Sequence, residues 1–167
     1  MKGEIVMKIF LDMDGTLAKF NVKNALQRFE NEKGFFARLG AYKGIEEIDK
    51  MTLKQNNVYI ISASPNENAD KDKMVWIEKY LPNLNKENII FCRLGENKAE
   101  YIENKLNIKI DNNCILLDDY TKNLVEWENF GGRGIKRLTT QADNKTGKWK
   151  GLAIRRLVEL KGALTLV

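Results

Sequence analysis

The run Ile9-Phe10-Leu11-Asp12-Met13-Asp14-Gly15-Thr16 decides the fold. Three apolar residues, one β-branched and one aromatic, give way at once to two carboxylates separated by a single residue. This is the pattern of a buried strand that stops and delivers acids to the edge of a sheet. The period-2 spacing lets Asp12 and Asp14 face one side of the strand while Met13 faces the other. Gly15 then allows a sharp turn and a close approach of the backbone to a ligand.

Outward from this run the same alternation repeats. A first strand is expected over 5–11 and a helix over 22–33, where Val22, Ala25, Leu26 and Phe29 recur at helical spacing behind Asn21 as cap. A second helix follows, marked by Ile45, Ile48, Met51 and Leu53. Strands are expected over 58–61, 89–92, 114–117 and 134–138, and helices over 69–80, 96–106, 123–129 and 152–161. Strand alternating with helix is the signature of an α/β fold: a Rossmann-like parallel sheet with helices on both faces and right-handed crossovers. The 167 residues suit one domain. The surplus of helix lies over 20–55, between the first two strands, where a small helical cap is expected.

Composition narrows the chemistry. The chain holds no histidine, which excludes Ser-His-Asp and Cys-His catalysis and any histidine-ligated metal. Its two cysteines, Cys92 and Cys114, both lie in apolar runs and read as buried thiols of a reducing cytoplasm. No apolar run approaches a membrane span, and Gly3 and Glu4 interrupt any signal-peptide core. The net charge of +5 permits a polyanionic partner without requiring one. Trp149, in the basic stretch 145–150, could cover the site or pack on the body.

In an open α/β sheet, ligands bind beyond the carboxyl ends of the strands. There the sequence places Asp12 and Asp14, Ser62, Asp118 and Asp119, with Lys98 one helix start after the third strand. Carboxylates without nitrogen or sulfur ligands suit a hard cation, Mg2+ above all. Lys98 and Ser62 can bind phosphate oxygens, and backbone N–H groups around Gly15 and Ala63 can form an anion nest. A carboxylate is already ionised at neutral pH and can attack without a histidine, while a second one moves the proton. An EF-hand reading fails, because the later acids are not at the required offsets. Ser64 competes with Ser62 for its role, and Lys105 with Lys98.

These residues resemble the four motifs of the haloacid dehalogenase superfamily, in order: Asp12-Met13-Asp14-Gly15-Thr16, Ser62, Lys98 and Asp118-Asp119. Within it, the chain is most similar to the 5′(3′)-deoxyribonucleotidase group, the cytosolic type C 5′-nucleotidases. That resemblance rests on Asp12 to Phe20, on Phe35-Phe36, on Ser62-Ala63-Ser64-Pro65 with the helix containing Lys73 to Tyr80, and on Leu116 to Asp119. It implies a Mg2+-dependent phosphomonoester hydrolase working through an aspartyl-phosphate. Asp12 would be the nucleophile and Asp14 the acid/base, whose carbonyl also reaches the metal. Asp119 would be the direct metal ligand and Asp118 a water-mediated or orienting one. Phe20 and Phe36 would meet the substrate, a small phosphorylated molecule of the (deoxy)nucleoside monophosphate type. The insert between the first two motifs is shorter than in the animal enzymes. An open site of that kind also suits a nucleic-acid end, a phosphoprotein or another phosphometabolite. The contrasting alternative is a non-catalytic module that binds nucleic acid through its basic surface.

Overall fold

Alternation of in and out along four residues builds the centre of the molecule. In the computed structural model, which describes residues 6–20, 28, 32–139 and 149–167, β1 (Lys8–Leu11) pairs in parallel with β2 (Val58–Ser64) on one side and with β4 (Cys114–Asp118) on the other. β3 (Ile89–Arg93) adds outside β2, and β5 (Arg133–Arg137) and β6 (Ala153–Ile154) outside β4. The order is β3-β2-β1-β4-β5-β6, all parallel.

Strand parity sorts the core into two layers. Ile9, Leu11, Met13, Val58 and Ile60 face α1 (Ile45–Lys54) and α2 (Glu67–Tyr80), which contribute Ile45, Ile48, Trp76 and Ile77. Phe10, Ile61, Cys92 and Leu116 face α3 (Lys98–Leu106) and α4 (Thr121–Asn129), with Ile102, Leu124 and Trp127. Phe10 stacks on Tyr59 with ring centroids 4.8 Å apart, and Trp127 tilts against it at 4.9 Å. Such pairs each add about 0.5–1.5 kcal/mol beyond the area they bury. α2 starts where Asn66 accepts from Ala69 N, and α3 where Asn97 accepts from Glu100 N. Both cysteines are buried free thiols.

Two features depart from the sequence expectation. β2 runs three residues further, because Ser62, Ala63 and Ser64 pair with Phe91, Cys92 and Arg93. The expected helix over 152–161 is instead β6, a 3-10 turn (Leu157–Glu159) and a short α5 (Leu160–Ala163). β6 holds only two residues, too few to show a period, and exists because Lys136 and Arg137 of β5 offer it an edge. Trp149 packs on the body: its ring lies on Gly134 and Gly151, where a Cβ would be 2.7 Å and 2.5 Å from ring carbons. The helix expected over 22–33 falls mostly outside the described residues.

The expected cap segment is of two kinds. Ile45 and Ile48 of α1 pack in the main core. Phe35, Phe36 and Ala69 form a separate apolar cluster, flanked by Phe20 and Leu39. The stem of the insert is pinned to the sheet side by Lys19 N donating to Gly40 O (2.7 Å), Tyr42 N to Leu17 O (2.9 Å) and Trp76 Nε1 to Leu39 O (2.9 Å). No helix among the described residues is long and apolar enough to cross a membrane.

Candidate active site

Because β1, β2 and β4 are parallel neighbours, their carboxyl ends open on one edge. There a cavity of about 180 Å³ is lined by Asp12, Asp14, Phe20, Phe36, Ala63, Lys98, Asp118 and Asp119, together with Pro65, Leu94, Tyr120 and Asn123. Eight of the ten residues singled out from sequence therefore meet at one place. Carboxylate oxygens of Asp12, Asp118 and Asp119 lie within 4.8 Å of one another, close enough to hold one metal ion.

Asp12 is 6% exposed and both of its oxygens are engaged. Lys98 Nζ donates to Oδ1 at 2.7 Å, and Thr16 Oγ1 lies 2.9 Å from Oδ2. Lys98 reaches the acids because Asn97 caps α3 and sets Lys98 as its first residue, directed at the sheet edge. The same Nζ donates to Asp118 Oδ2 at 2.7 Å. Burial lowers the Lys98 pKa, but Asp118 and Asp12 outweigh it, so the ammonium stays charged above its ordinary range.

The two acids of the pair after β4 are held differently. Asp118 accepts Tyr120 N on Oδ1 (2.8 Å), and Lys98 and Asn123 Nδ2 on Oδ2 (2.7 and 2.9 Å). Among the described residues, Asp119 accepts only from Thr16 Oγ1, at 3.3 Å on Oδ1. One hydroxyl proton cannot serve Asp12 and Asp119 together. The Thr16 hydroxyl in turn accepts Asp119 N at 3.1 Å. Burial first, and the neighbouring carboxylates second, raise the pKa of both Asp118 and Asp119, Asp119 well above its ordinary value. Gly15 sits against this group with φ +81°, and a Cβ there would lie 2.9 Å from Asp119 Cγ. Its N–H donates to Ala18 O at 2.9 Å, so Gly15 contributes space and not an anion-binding donor.

Asp14 leaves the acid cluster and faces a cation that the sequence reading passed over. Lys73 of α2 has no exposed surface, and its Nζ donates to Asp14 Oδ2, to Ser62 Oγ (2.9 Å) and to Ala63 O (2.6 Å). All three ammonium protons are thus used. The same Nζ lies 4.5 Å from the centre of the Phe36 ring. Asp14 Oδ1 is buried without a hydrogen-bond partner among the described residues. Lys73 sits among Asp70, Lys71 and Asp72, a stretch that reads as a solvated helix face; its place three residues before the buried Trp76 was the available signal.

Ser62 is not at the cavity. It lies inside β2, buried, on the face of Val58 and Ile60, with its hydroxyl toward Lys73. Ser64 is also buried and donates to Asn66 O at 3.3 Å. Ala63, pointing to the opposite face, is the β2 residue that lines the cavity. Two further buried cations support the site from behind. Lys136 of β5 donates to Asp119 O (2.9 Å) and Thr121 Oγ1 (2.7 Å). Arg137 donates to the carbonyls of Thr16 (3.2 Å), Leu138 (2.6 Å) and Arg155, with its guanidinium 4.7 Å from the Tyr42 ring. Phe20 and Phe36 lie parallel over the cavity, centroids 6.2 Å apart.

No curated protein matches the chain in sequence. Solved structures share its fold. A haloacid dehalogenase family hydrolase from Deinococcus radiodurans, with bound phosphate and sodium, superposes with a TM-score of 0.66 at 13% identity, over 96% of each chain. The D,D-heptose 1,7-bisphosphate phosphatase from B. bronchiseptica, complexed with magnesium and phosphate, gives 0.67 at 14% identity, over 96% of this chain and 99% of that one. A family IA haloacid dehalogenase hydrolase from Entamoeba histolytica gives 0.65 at 15% identity, over 92% and 95%. In sequence, the family described as "5′ nucleotidase, deoxy (Pyrimidine), cytosolic type C protein" matches residues 8–146, from β1 through the acid pair and past β5. With that match on the acid-lined edge of a haloacid dehalogenase fold, the chain belongs to the cytosolic type C 5′-nucleotidase family of phosphatases.

Proposed function

We propose that this phosphatase is Mg2+-dependent, works through an aspartyl-phosphate on Asp12, and takes (deoxy)nucleoside monophosphates as substrates in the cytoplasm. The observation that carries the mechanism is the Lys98 bridge between Asp12 and Asp118 at the floor of an open cavity. Lys98 on one oxygen and Thr16 on the other fix the Asp12 carboxylate in a single orientation, as attack on a phosphorus requires. Asp12 bonds to phosphorus as the ester oxygen leaves, and Asp14 gives that oxygen a proton. Asp14 then takes a proton from the water that attacks the aspartyl-phosphate, so Asp12 and Asp14 both return to their starting forms. Lys73 and Ser62 aim Asp14 rather than touch substrate, and Ala63 and Lys98 border the phosphate position.

The donor set fits a hard cation: carboxylate oxygens of Asp12, Asp118 and Asp119 lie within 4.8 Å of one another, and none of the three is a nitrogen or sulfur ligand. Asp118 spends its oxygens on Tyr120 N, Lys98 and Asn123, whereas Asp119 Oδ2 has no donor among the described residues. This supports Asp119 as the direct ligand, together with Asp12 and the Asp14 carbonyl, and Asp118 as the orienting acid. Bound magnesium would offset the repulsion between Asp12 and the phosphate dianion. We place the cap within 20–44, since α1 belongs to the main core.

Asp12→Asn is expected to reduce Mg2+-dependent release of phosphate from a deoxynucleoside monophosphate to background. Near-normal turnover by that variant would sink the nucleophile assignment. The open mouth of the cavity favours one second reading, a nucleic-acid 5′ or 3′ end as substrate. Faster turnover of a phosphorylated oligonucleotide than of the mononucleotide would select it.

A further inference from the structure

The floor of the cavity is charged, whereas the described residues that line its mouth are uncharged. Among the described residues, Leu94 (56% exposed) and Tyr120 (59%) are the exposed large hydrophobics that line it. They stand on opposite flanks. Ser64 and Arg93 are register partners, so Pro65 and Leu94 leave β2 and β3 side by side. Tyr120 leaves β4 directly after the acid pair. The strand order β3-β2-β1-β4 puts Asp12 between the two flanks. Phe20 and Phe36 border the same cavity with parallel rings.

Both residues are held in place by the backbone rather than by burial. Leu94 belongs to a closed turn in which Arg93 N donates to Glu96 Oε2 (2.5 Å) and Glu96 N to Arg93 O (3.1 Å), with Gly95 at φ +85°. Tyr120 is fixed by its N–H on Asp118 Oδ1 and by the start of α4 at Thr121. Two apolar side chains kept out in water at one mouth lose nothing when a flat apolar group covers them. The cavity itself holds about 180 Å³, below the roughly 300 Å³ at which sites for larger ligands begin. A substrate that seats its phosphate on the acids must therefore lay its remainder across the mouth.

We infer that Leu94 and Tyr120 are specificity-determining residues that receive the ring of the leaving group, so that the enzyme favours phosphomonoesters carrying a planar base over bare sugar phosphates. This rests on the hydrolase reading above and deepens it. Tyr120 offers a face for stacking, and Leu94 closes the opposite edge.

The test compares a deoxynucleoside 5′-monophosphate with deoxyribose 5-phosphate, which shares its phosphate and sugar and lacks the base. The wild type should have the higher kcat/KM for the nucleotide. Tyr120→Ala should lower the ratio of the two kcat/KM values about tenfold, mainly through KM, as expected for loss of one base–aromatic stack. Tyr120→Phe should keep the ratio, and Leu94→Ser should lower it by a smaller factor. Equal losses on both substrates, or an unchanged ratio in Tyr120→Ala and Leu94→Ser, would overturn the assignment while leaving the hydrolase reading intact. Absence of wild-type turnover on either substrate, and on a generic aryl phosphate, would instead refute the hydrolase reading and this inference with it.

Discussion

Replacing Lys73 by methionine tests the least expected part of the site. The side chain is wholly buried, so methionine keeps most of its volume and removes only the ammonium. Three acceptors lose their donor: Asp14 Oδ2, Ser62 Oγ and Ala63 O. Breaking a buried ion pair by deleting one partner costs about 3–5 kcal/mol, because the surviving charge is left without compensation. Asp14 has 17% of its side chain exposed to the cavity, so water can reach it, and the lower figure, about 3 kcal/mol, applies. For a chain of this size that is a fall in Tm of roughly 6–12 °C. Activity should fall further than folding does. With Asp14 no longer aimed, the proton-transfer contribution of about 10²–10⁴ is at risk, so kcat measured well below the lowered Tm should drop at least about 100-fold while KM moves little. Thermal unfolding and steady-state kinetics on the same preparation give both numbers. A Lys73→Met protein with unchanged Tm would refute the ion-pair argument. One that is destabilised but retains full kcat would show that Lys73 supports the fold without aiming Asp14.

Two further perturbations probe the acid cluster. Gly15→Ala forces an L side chain to φ +81° and drives its Cβ into the Asp119 carboxylate; the left-handed strain alone is about 1–2 kcal/mol, so Tm should fall by several degrees and Mg2+ should no longer raise it, both readable by thermal unfolding with and without the metal. Asp118 and Asp119 have folded pKa values raised above the ordinary 3.8 by burial first and by the Asp12 carboxylate second, with Asp118 adding to the rise at Asp119; a raised carboxyl pKa adds stability that is present below the ordinary value and is lost as pH rises through the folded one. In metal-free protein, Asp119→Asn should therefore gain Tm relative to wild type at neutral pH, and the gap should close toward about pH 4; a gap independent of pH would contradict the repulsion argument.

What could be read from the sequence follows from the range of the interactions involved. Strand ends are local: an apolar run that stops in acids announces itself, and Asp12, Asp14, Asp118 and Asp119 all stood at such ends. Lys98 follows Asn97, a cap residue, and its helix start was likewise local. Ser62 misled because strand length is set by the neighbour. β2 continues to Ser64 only because β3 offers partners for it, and one or two extra strand residues decide which side chain faces the cavity. Lys136 and Arg137 carried no local mark, and Lys73 only its helical spacing to Trp76. Each is an ordinary basic residue by composition, and becomes buried and directed only when α2 or β5 docks beside β1 and β4. Their partners lie far away in the chain: Lys73 meets Asp14 across 59 residues, and Arg137 meets Thr16 across 121.

The same buried cations explain how a short insert can bear on chemistry at the strand ends. The ends of the insert pair with each other through an antiparallel bridge between Ala18 and Ala41, which makes its stem a short ribbon. Tyr42, at the foot of that ribbon, lies against Arg137, which holds the Thr16 carbonyl. Thr16 in turn meets both Asp12 and Asp119 through its hydroxyl. On the other side, Phe36 lies against the Lys73 ammonium that grips Asp14. Asp14 is thus joined to a residue of the insert through Lys73, and Asp12 and Asp119 through Thr16 and Arg137. The Leu94 and Tyr120 flanks differ in this respect. Leu94 stands on a closed turn, and only the backbone of Tyr120 touches an acid. A substitution at those flanks can leave the carboxylates where they are, whereas one at Phe36 disturbs the cation that grips Asp14.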